Sequence, residues 1–308
     1  MQPLVSAIII THNRLPLLQR ALTSVLDQTY NNLEIIVVDD GSSDGTEEWL
    51  NHIVAVQDPQ ITSKKIRHIR ISSQDSKGGN FARNIGIKSS TGEYIAFLDD
   101  DDYWLPEKTA KQINILSKSD HGVAYGKRIT EVVSQDGSSE LLFRDVAPSL
   151  QGDLSKIVLY KMITTSSFLM IKKEVLDKSG LFDENLKFWQ DYELIVRLTQ
   201  ITNFYKIEEP VTVYRVNVHD RNKLTNKYFE WKDAVKYIRN KHKNLYSNLS
   251  FNERLRSKAL VWNDACLRSR NAGLKWVWLW NKSLLTIWRV YNLFTSKNPL
   301  QKIKNRLK

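Results

Sequence analysis

Short apolar runs that stop abruptly at polar clusters constrain this chain more than any other feature. Ser6-Ala7-Ile8-Ile9-Ile10 breaks at Thr11-His12-Asn13-Arg14, Glu34 to Val38 ends in Asp39-Asp40-Gly41-Ser42, and Glu93 to Leu98 runs straight into Asp99-Asp100-Asp101-Asp102. Near-continuous apolar runs of this length suit strands buried on both faces. Ile66 to Ile71, which alternates, reads as a further strand. Helical patterns lie between them: Leu17, Leu18, Ala21, Leu22, Val25 and Leu26, with Pro16 in the first turn, then Glu47 to about Val56 and Asn80 to Lys88. Strands alternating with helices predict a parallel α/β sheet over residues 1–118. The polar clusters then share the sheet's carboxyl edge, where loops converge on a crevice beside the point at which strand order reverses.

Four consecutive aspartates behind a buried strand repel one another and call for a compensating cation. Hard divalent ions such as Mn2+ or Mg2+ take one or two carboxylates, with phosphate oxygens completing the shell. The competing reading, an acidic turn capping the helix that begins near Pro106, accounts for one aspartate but not four. Asp39 and Asp40 offer acceptors to a base or a ribose, although Asp, Gly and Ser are also ordinary turn residues. Lys77-Gly78-Gly79-Asn80-Phe81-Ala82-Arg83-Asn84 joins glycines to a helix start, where N–H groups and basic side chains can approach a diphosphate. It lacks the Gly-Lys-Ser/Thr ending of a P-loop. Asp191 opens a helix bearing Leu194, Ile195, Val196 and Leu198, a place that also suits a cap.

Beyond Pro106 the alternation loosens. Val123 to Val133, Leu141 to Arg144 and Thr164 to Lys172 read as strands of a mixed extension, residues 190–200 as a helix and Tyr205 to Val216 as a strand; from about Tyr228 only helical periodicity remains. The length of 308 residues suits about two domains, expected over residues 1–220, with halves of about 1–118 and 119–220, and over residues 221–308. Charge divides at the same place. Residues 1–220 carry 24 Lys and Arg against 30 Asp and Glu, net −6, whereas residues 221–308 carry 21 against 4, net +17, and no acid follows Asp264. That division implies different partners for the two parts, unless the tail is a solvated helical appendage. A single cysteine, Cys266, excludes an internal disulfide framework and any multi-cysteine metal site. No uncharged apolar run reaches the roughly 18 residues of a spanning helix. Met1 leads almost directly into a strand, without a basic segment and apolar core ahead of it, so a cytoplasmic location is expected.

Five blocks, in order, resemble the family-two inverting nucleotide-sugar glycosyltransferases with the GT-A fold: Ser6 to Arg14, Val37-Val38-Asp39-Asp40-Gly41-Ser42, Ala82-Arg83-Asn84-Ile85-Gly86, Phe97-Leu98-Asp99-Asp100-Asp101-Asp102, and Asp191-Tyr192-Glu193-Leu194. They cover roughly residues 4–220. The resemblance implies a Rossmann-like, mostly parallel sheet flanked by helices and followed by a C-terminal helical extension, with a nucleotide-sugar half and an acceptor half in the first domain. It implies a nucleoside pocket lined by Thr11 and Asp40, with Lys77 and Arg83 near the base or phosphates, and further donor contacts at Asn13, Arg14, Asp99 and Asp100. Asp99 and Asp101 would be the DxD pair, Asp101 the direct ligand of Mn2+ or Mg2+, and Asp191 the catalytic base. The family commonly has Glu-Asp where this chain has Gln190-Asp191, the aspartate being kept. It often has a histidine two residues after Tyr-Arg; here that place is Asn217, and His219, two residues on, is the candidate for a metal or phosphate role. The activity implied is metal-dependent transfer of a hexosyl group, from a UDP-sugar or a related donor, to a hydroxyl of a saccharide or lipid-linked glycan in polysaccharide or glycoconjugate synthesis.

Five of the nine tryptophans lie after residue 260. Val277, Trp280, Leu284, Ile287, Trp288, Tyr291 and Phe294 recur at steps of three or four, opposite Lys275, Lys282, Thr286 and Arg289. An amphipathic helix of this composition suits an anionic membrane surface at the inner face of the plasma membrane. The same face could instead pack on the first domain or form a homodimer. Three rival readings remain, one of them a nucleotidyltransferase, which could use similar aspartates but does not account for Asp191 in its motif. A nucleic-acid-binding protein would use the net +17, but its phosphates would be repelled by the strand-end aspartates, so no nucleic-acid partner is expected. An inactive GT-A-like scaffold would have no need of Asp101 and Asp191.

Overall fold

β1 (Val5–Thr11), β2 (Leu33–Asp40), β3 (Lys65–Ile71) and β4 (Tyr94–Asp99) alternate with α1 (Leu15–Leu26), α2 (Thr46–Ala55) and α3 (Gly79–Ser89) in a computed structural model that describes residues 2–56, 64–143, 150–217 and 226–294. The four strands run parallel, β1 lying between β2 and β4, with β3 outside β2. Both faces of β2 are covered. Ile35 and Val37 pack with Leu18, Leu22 and Val25 of α1, while Ile36 and Val38 pack with Ala82 of α3. That double coverage is why the run is apolar at every position rather than at alternate ones.

Then follow β5 (Tyr103–Trp104), α4 (Lys108–Leu116), β6 (Val123–Val133), β7 (Ser139–Phe143), β8 (Met170–Lys172), α5 (Lys173–Ser179), α6 (Gln190–Thr199) and β9 (Phe204–Asn217). Among the described residues one nine-stranded sheet forms, in the order β3-β2-β1-β4-β8-β6-β9-β5, with β7 paired to β6. β8 runs antiparallel to both β4 and β6, and β5 antiparallel to β9. Strand order therefore reverses between β1 and β4. Their register sets Thr11 beside Asp39 and Ile10 beside Asp99, which places three polar strand ends side by side at the reversal.

One expected strand is mostly absent. Within Thr164 to Lys172, only Met170–Lys172 pairs; Ser166–Phe168 forms a turn of 3-10 helix. The Ser166 and Ser167 hydroxyls bond to the acidic cluster instead, a local alternative to a ladder that serine side chains favour. Arg144, the expected end of β7, lies outside the described residues.

By internal packing the chain divides into two units, Met1–Ser155 with Ile163–His219, and Lys156–Met162 with Asp220–Lys308. The second contains a 3-10 turn at Ile157–Tyr160 and the helices α7 (Tyr228–Lys241), α8 (Lys243–Ser247), α9 (Phe251–Asn271) and α10 (Lys275–Phe294). Ser250 caps α9 and Glu253 returns the bond, a capping box. The apolar stripe expected on α10 is really two. Leu285 is buried and Val277, Leu284 and Trp288 are half-buried on one side, whereas Trp280 and Ile287 are exposed on another. Steps of three and four connect residues from both sides, and the sequence pattern merged them. The Phe294 side chain lies outside the described residues.

Gly86 shows how closely α3 lies on the sheet: a Cβ there would stand 2.5 Å from Cγ2 of Ile8, which is fully buried. Replacing glycine by alanine inside a helix ordinarily gains up to about 1 kcal/mol. Here the overpacking term, about 1–3 kcal/mol, is larger. Gly86→Ala is expected to lower the unfolding free energy in urea titration; an unchanged or raised midpoint would show that α3 is free to move away.

Candidate active site

The first part of the site is built where β1 and β2 end. Asp39 is fully buried and spent on structure, accepting from the Ser42 N–H at 2.9 Å and pairing with Arg70. Asp40 is different. Its Oδ2 accepts from the Gly78 N–H at 2.9 Å, but its buried Oδ1 has no hydrogen-bond partner among the described residues. An orphaned buried acceptor is costly unless a ligand's donor meets it. The glycine-rich segment thus begins by satisfying Asp40. Gly78 has φ 91°, a conformation natural to glycine. Lys77 is exposed, its Nζ 4.9 Å from the Phe81 ring centroid. Asn13, at φ 53°, accepts from the Ser43 N–H at 2.7 Å and donates its own N–H to Ser42 Oγ at 2.8 Å, tying the β1 and β2 loops together.

The second part is the acidic end of β4. Thr11 Oγ1 donates to Asp100 at 2.9 Å, and Arg14 Nη1 reaches Asp100 at 3.1 Å and Asp101 at 3.2 Å. Arg83 donates to Asp99 at 2.6 Å and lies over the Phe182 ring. Burial works against the Arg83 charge, but Asp99 and then Asp191 more than restore it, so its pKa is raised. Arg14 and Arg83 offset only part of the carboxylate charge. Asp101 is pushed up to about 6, first by its recessed setting and then by Asp99 and Asp100, against the pull of Arg14. Burial, then Asp101 and Asp99, drives Asp102 well upward despite hydrogen bonds from Ser167 and the Arg215 N–H. Asp102 is thus a buried post beneath the pair, steadied by Ser167, whose carbonyl accepts from Trp104 Nε1 at 3.0 Å.

Asp191 sits in the first turn of α6. Trp189 precedes it at φ 55°, rare for a bulky side chain, and its ring meets Tyr192 at 4.9 Å. Ser166 donates to Asp191 through both its N–H and its hydroxyl, and that hydroxyl also lies 3.5 Å from Asp99 Oδ2. Burial raises the Asp191 pKa, Arg83 opposes this, and Asp99 adds to it, leaving the pKa above its ordinary value. Asp191 is therefore more than a helix cap: it belongs to one electrostatic group with Arg83 and Asp99.

The sequence reading did not find the parts that position Asp191. Asn80 Nδ2 donates to the carbonyls of Asp183 and Leu186, and Asn84 exchanges two hydrogen bonds with Phe182, so α3 holds the loop that leads into α6. Fully buried Glu193 pairs with Arg197, which also donates to the carbonyls of Ser179, Gly180 and Leu181. Both asparagines belong to the Lys77–Asn84 segment, where a polar residue facing a buried loop was the available signal. Ser166, in a run of hydroxyl residues, offered none. His219 lies outside the described residues.

Among the described residues no three acidic, histidine or cysteine side chains converge as a ready cage for a metal. The oxygen donors at the end of β4 nevertheless fit a hard cation that shares its shell with phosphate. Asp101 is 40% exposed and its ionisation is opposed by two neighbouring carboxylates. In the folded state its pKa is about 6 against about 3.9 unfolded. Between those values the folded protein holds a proton that the unfolded chain lacks, so stability falls as pH rises from about 4 to about 6. Asp101→Asn is expected to flatten this decline and to raise the melting temperature of the metal-free protein at pH 7.5. The rise should be only about a degree or two, because water still reaches this half-buried side chain and screens the repulsion. A melting curve unchanged at pH 7.5 would count against the repulsion.

Known proteins share this architecture. Residues 6–179, more than half of the chain, match the description Glycosyl transferase family 2. An uncharacterized glycosyltransferase of Rickettsia typhi is 34% identical over 220 residues, 71% of this chain and 65% of that protein, so the match spans slightly under two thirds of the relative. Another from Nostoc sp. is 31% identical over 221 residues, covering 69% and 65%. Among solved structures, S. aureus TarS 1–349 in complex with UDP aligns over 93% of this chain and 91% of its own, at TM-score 0.55 and 17% identity. The mannosyltransferase PcManGT from Pyrobaculum calidifontis, in complex with GDP-Man and Mn2+, aligns over 96% and 89% at TM-score 0.57 and 17% identity. These likenesses are of fold, and the fold is that of the GT-A glycosyltransferases. With the family's description spanning the strand-end clusters of β1, β2 and β4, the chain belongs to glycosyl transferase family 2.

Proposed function

We propose that this chain transfers a hexosyl group from a nucleoside diphosphate sugar, in our reading a UDP-sugar, to a hydroxyl of a saccharide or lipid-linked glycan, with inversion at the anomeric carbon. The observation that carries the proposal is the linkage of Asp191, through Arg83 and Ser166, to the carboxylates that end β4. It brings a candidate base and a candidate diphosphate site into one crevice. The fold neighbours lend support: TarS has been crystallised with UDP and with UDP-GlcNAc, and PcManGT with GDP-Man and Mn2+.

In this scheme Asp40 Oδ1 accepts from the donor's base or ribose, and Thr11 holds Asp100 in place beside it. Asp101, with Asp99 adjacent, would hold Mn2+ or Mg2+. When bound, such an ion supplies electrostatic stabilisation for the diphosphate's growing charge. Asp191 takes the proton as the acceptor oxygen bonds to the anomeric carbon; the bond from that carbon to the diphosphate oxygen breaks, and its electron pair leaves with the diphosphate. A raised pKa suits Asp191 to receiving that proton. Arg83 opposes the upward push that Asp99 gives to the Asp191 pKa. One displacement needs one base, and no second carboxylate acts as nucleophile. A lipid-linked or nascent polysaccharide acceptor at the inner face of an anionic membrane accords with the basic, acid-free stretch after Asp264.

Asp191→Asn is expected to lower kcat by about 10² to 10⁴ while leaving donor affinity nearly unchanged. Release of nucleoside diphosphate and NMR of the product's anomeric configuration read both rate and stereochemistry; near-normal turnover, or a retained configuration, would overturn the proposal. Asp101→Ala is expected to abolish the dependence of donor binding on Mn2+ in calorimetry. If binding by the unaltered enzyme proved indifferent to Mn2+, the metal would have no part in the scheme.

A further inference from the structure

α10 has two sides of different use. Along the side packed on α9, Asn281 and Leu285 are buried. Turned away from it, Trp276 is 80% exposed, Trp280 67%, Ile287 66% and Val290 48%. At 3.6 residues per turn these four fall within one sector of about 80°. Lys275, Lys282 and Arg289, all exposed and seven residues apart, form a cationic row along the helix. Isolated exposed apolar residues need no explanation, but four aligned along one helix face, interrupted only by Ser283, mark a surface that something covers.

We infer that this outward strip lies in the headgroup boundary of an anionic lipid bilayer, the helix parallel to the surface. Trp276, Trp280, Ile287 and Val290 would enter the acyl boundary while Lys275, Lys282 and Arg289 meet lipid phosphates. Charge selects this occupant. From Lys275 to Lys308 the chain carries eight basic residues and no acid, a match for an anionic surface. A second copy docked strip to strip would leave the cationic row, about 120° round the helix from the strip, facing water with no opposite charge to meet. Spanning the bilayer is not available to the described helices, none of which is long and apolar enough. Tryptophan suits the boundary in particular, its ring apolar and its N–H able to reach water or headgroups.

The inference deepens the membrane part of the function proposed above and is tested without donor or acceptor, so its failure leaves the Asp191 chemistry standing. The full chain is sedimented with phosphatidylcholine vesicles, with and without phosphatidylglycerol. Binding is expected only with phosphatidylglycerol, weakening as salt is raised. The triple variant Trp276→Ser, Trp280→Ser, Ile287→Ser should bind at least about tenfold more weakly. Lys282→Gln and Arg289→Gln should each cost roughly fivefold. Brominated lipid should quench tryptophan fluorescence in the unaltered protein and less so in the triple variant, with circular dichroism confirming that α10 remains folded. An unaltered chain that stays in the supernatant, a triple variant that binds equally, or a vesicle-independent dimer lost on these substitutions would each overturn the inference, the last by identifying a second copy as the occupant.

Discussion

Repulsion among carboxylates at the end of β4 is the constraint around which the first unit is organised. Four aspartates in succession, with Asp191 close by, would drive the strand end apart. Arg83 and Arg14 are placed between pairs of them: the first joins Asp99 to the field of Asp191, the second clasps Asp100 and Asp101. Thr11 and Ser167 supply neutral donors to Asp100 and Asp102. The compensation is partial. Asp101 and Asp102 keep raised pKa values, and this residual strain is what a cation together with a diphosphate would relieve.

The sheet makes such a group possible because parallel strands deliver several loops to one edge. The register of β1 against β2 and β4 fixes which residues emerge together, and α3 serves both ends of the crevice. Gly78, just ahead of its first turn, meets Asp40. Its buried face supplies Arg83, and Asn80 and Asn84 anchor the loop before Asp191. A helix tied at once to Asp40, to Asp99 and to the loop before Asp191 has little freedom to shift, in keeping with the close approach of Gly86 to Ile8.

Legibility in the sequence followed how local each cause was. β1, β2 and β4 announced themselves because burial on both faces makes a run apolar at every step, and the polar residues ending each run stood next to it in the chain. β5, two residues long, left no period to detect. Ser166–Phe168 read as strand because its neighbours are apolar and β-branched; the reason it turns is a pair of carboxylates far away in sequence. The Asp40 and Asp101 environments could be anticipated as acidic, but which aspartate would be spent on structure depended on Arg70 and Ser42 reaching Asp39. On α10 the helical period was plain, yet a period does not tell which of two apolar stripes meets α9.

Ser166 carries a consequence for how the two ends of the crevice communicate. A serine hydroxyl has a single hydrogen to give, and two carboxylates compete for it. When one holds it, the other must do without, so in the proposed scheme charge brought to Asp99 would be felt at Asp191 with no movement of the backbone. The distance between Asp99 and Asp191 is bridged by one O–H bond that can point only one way at a time.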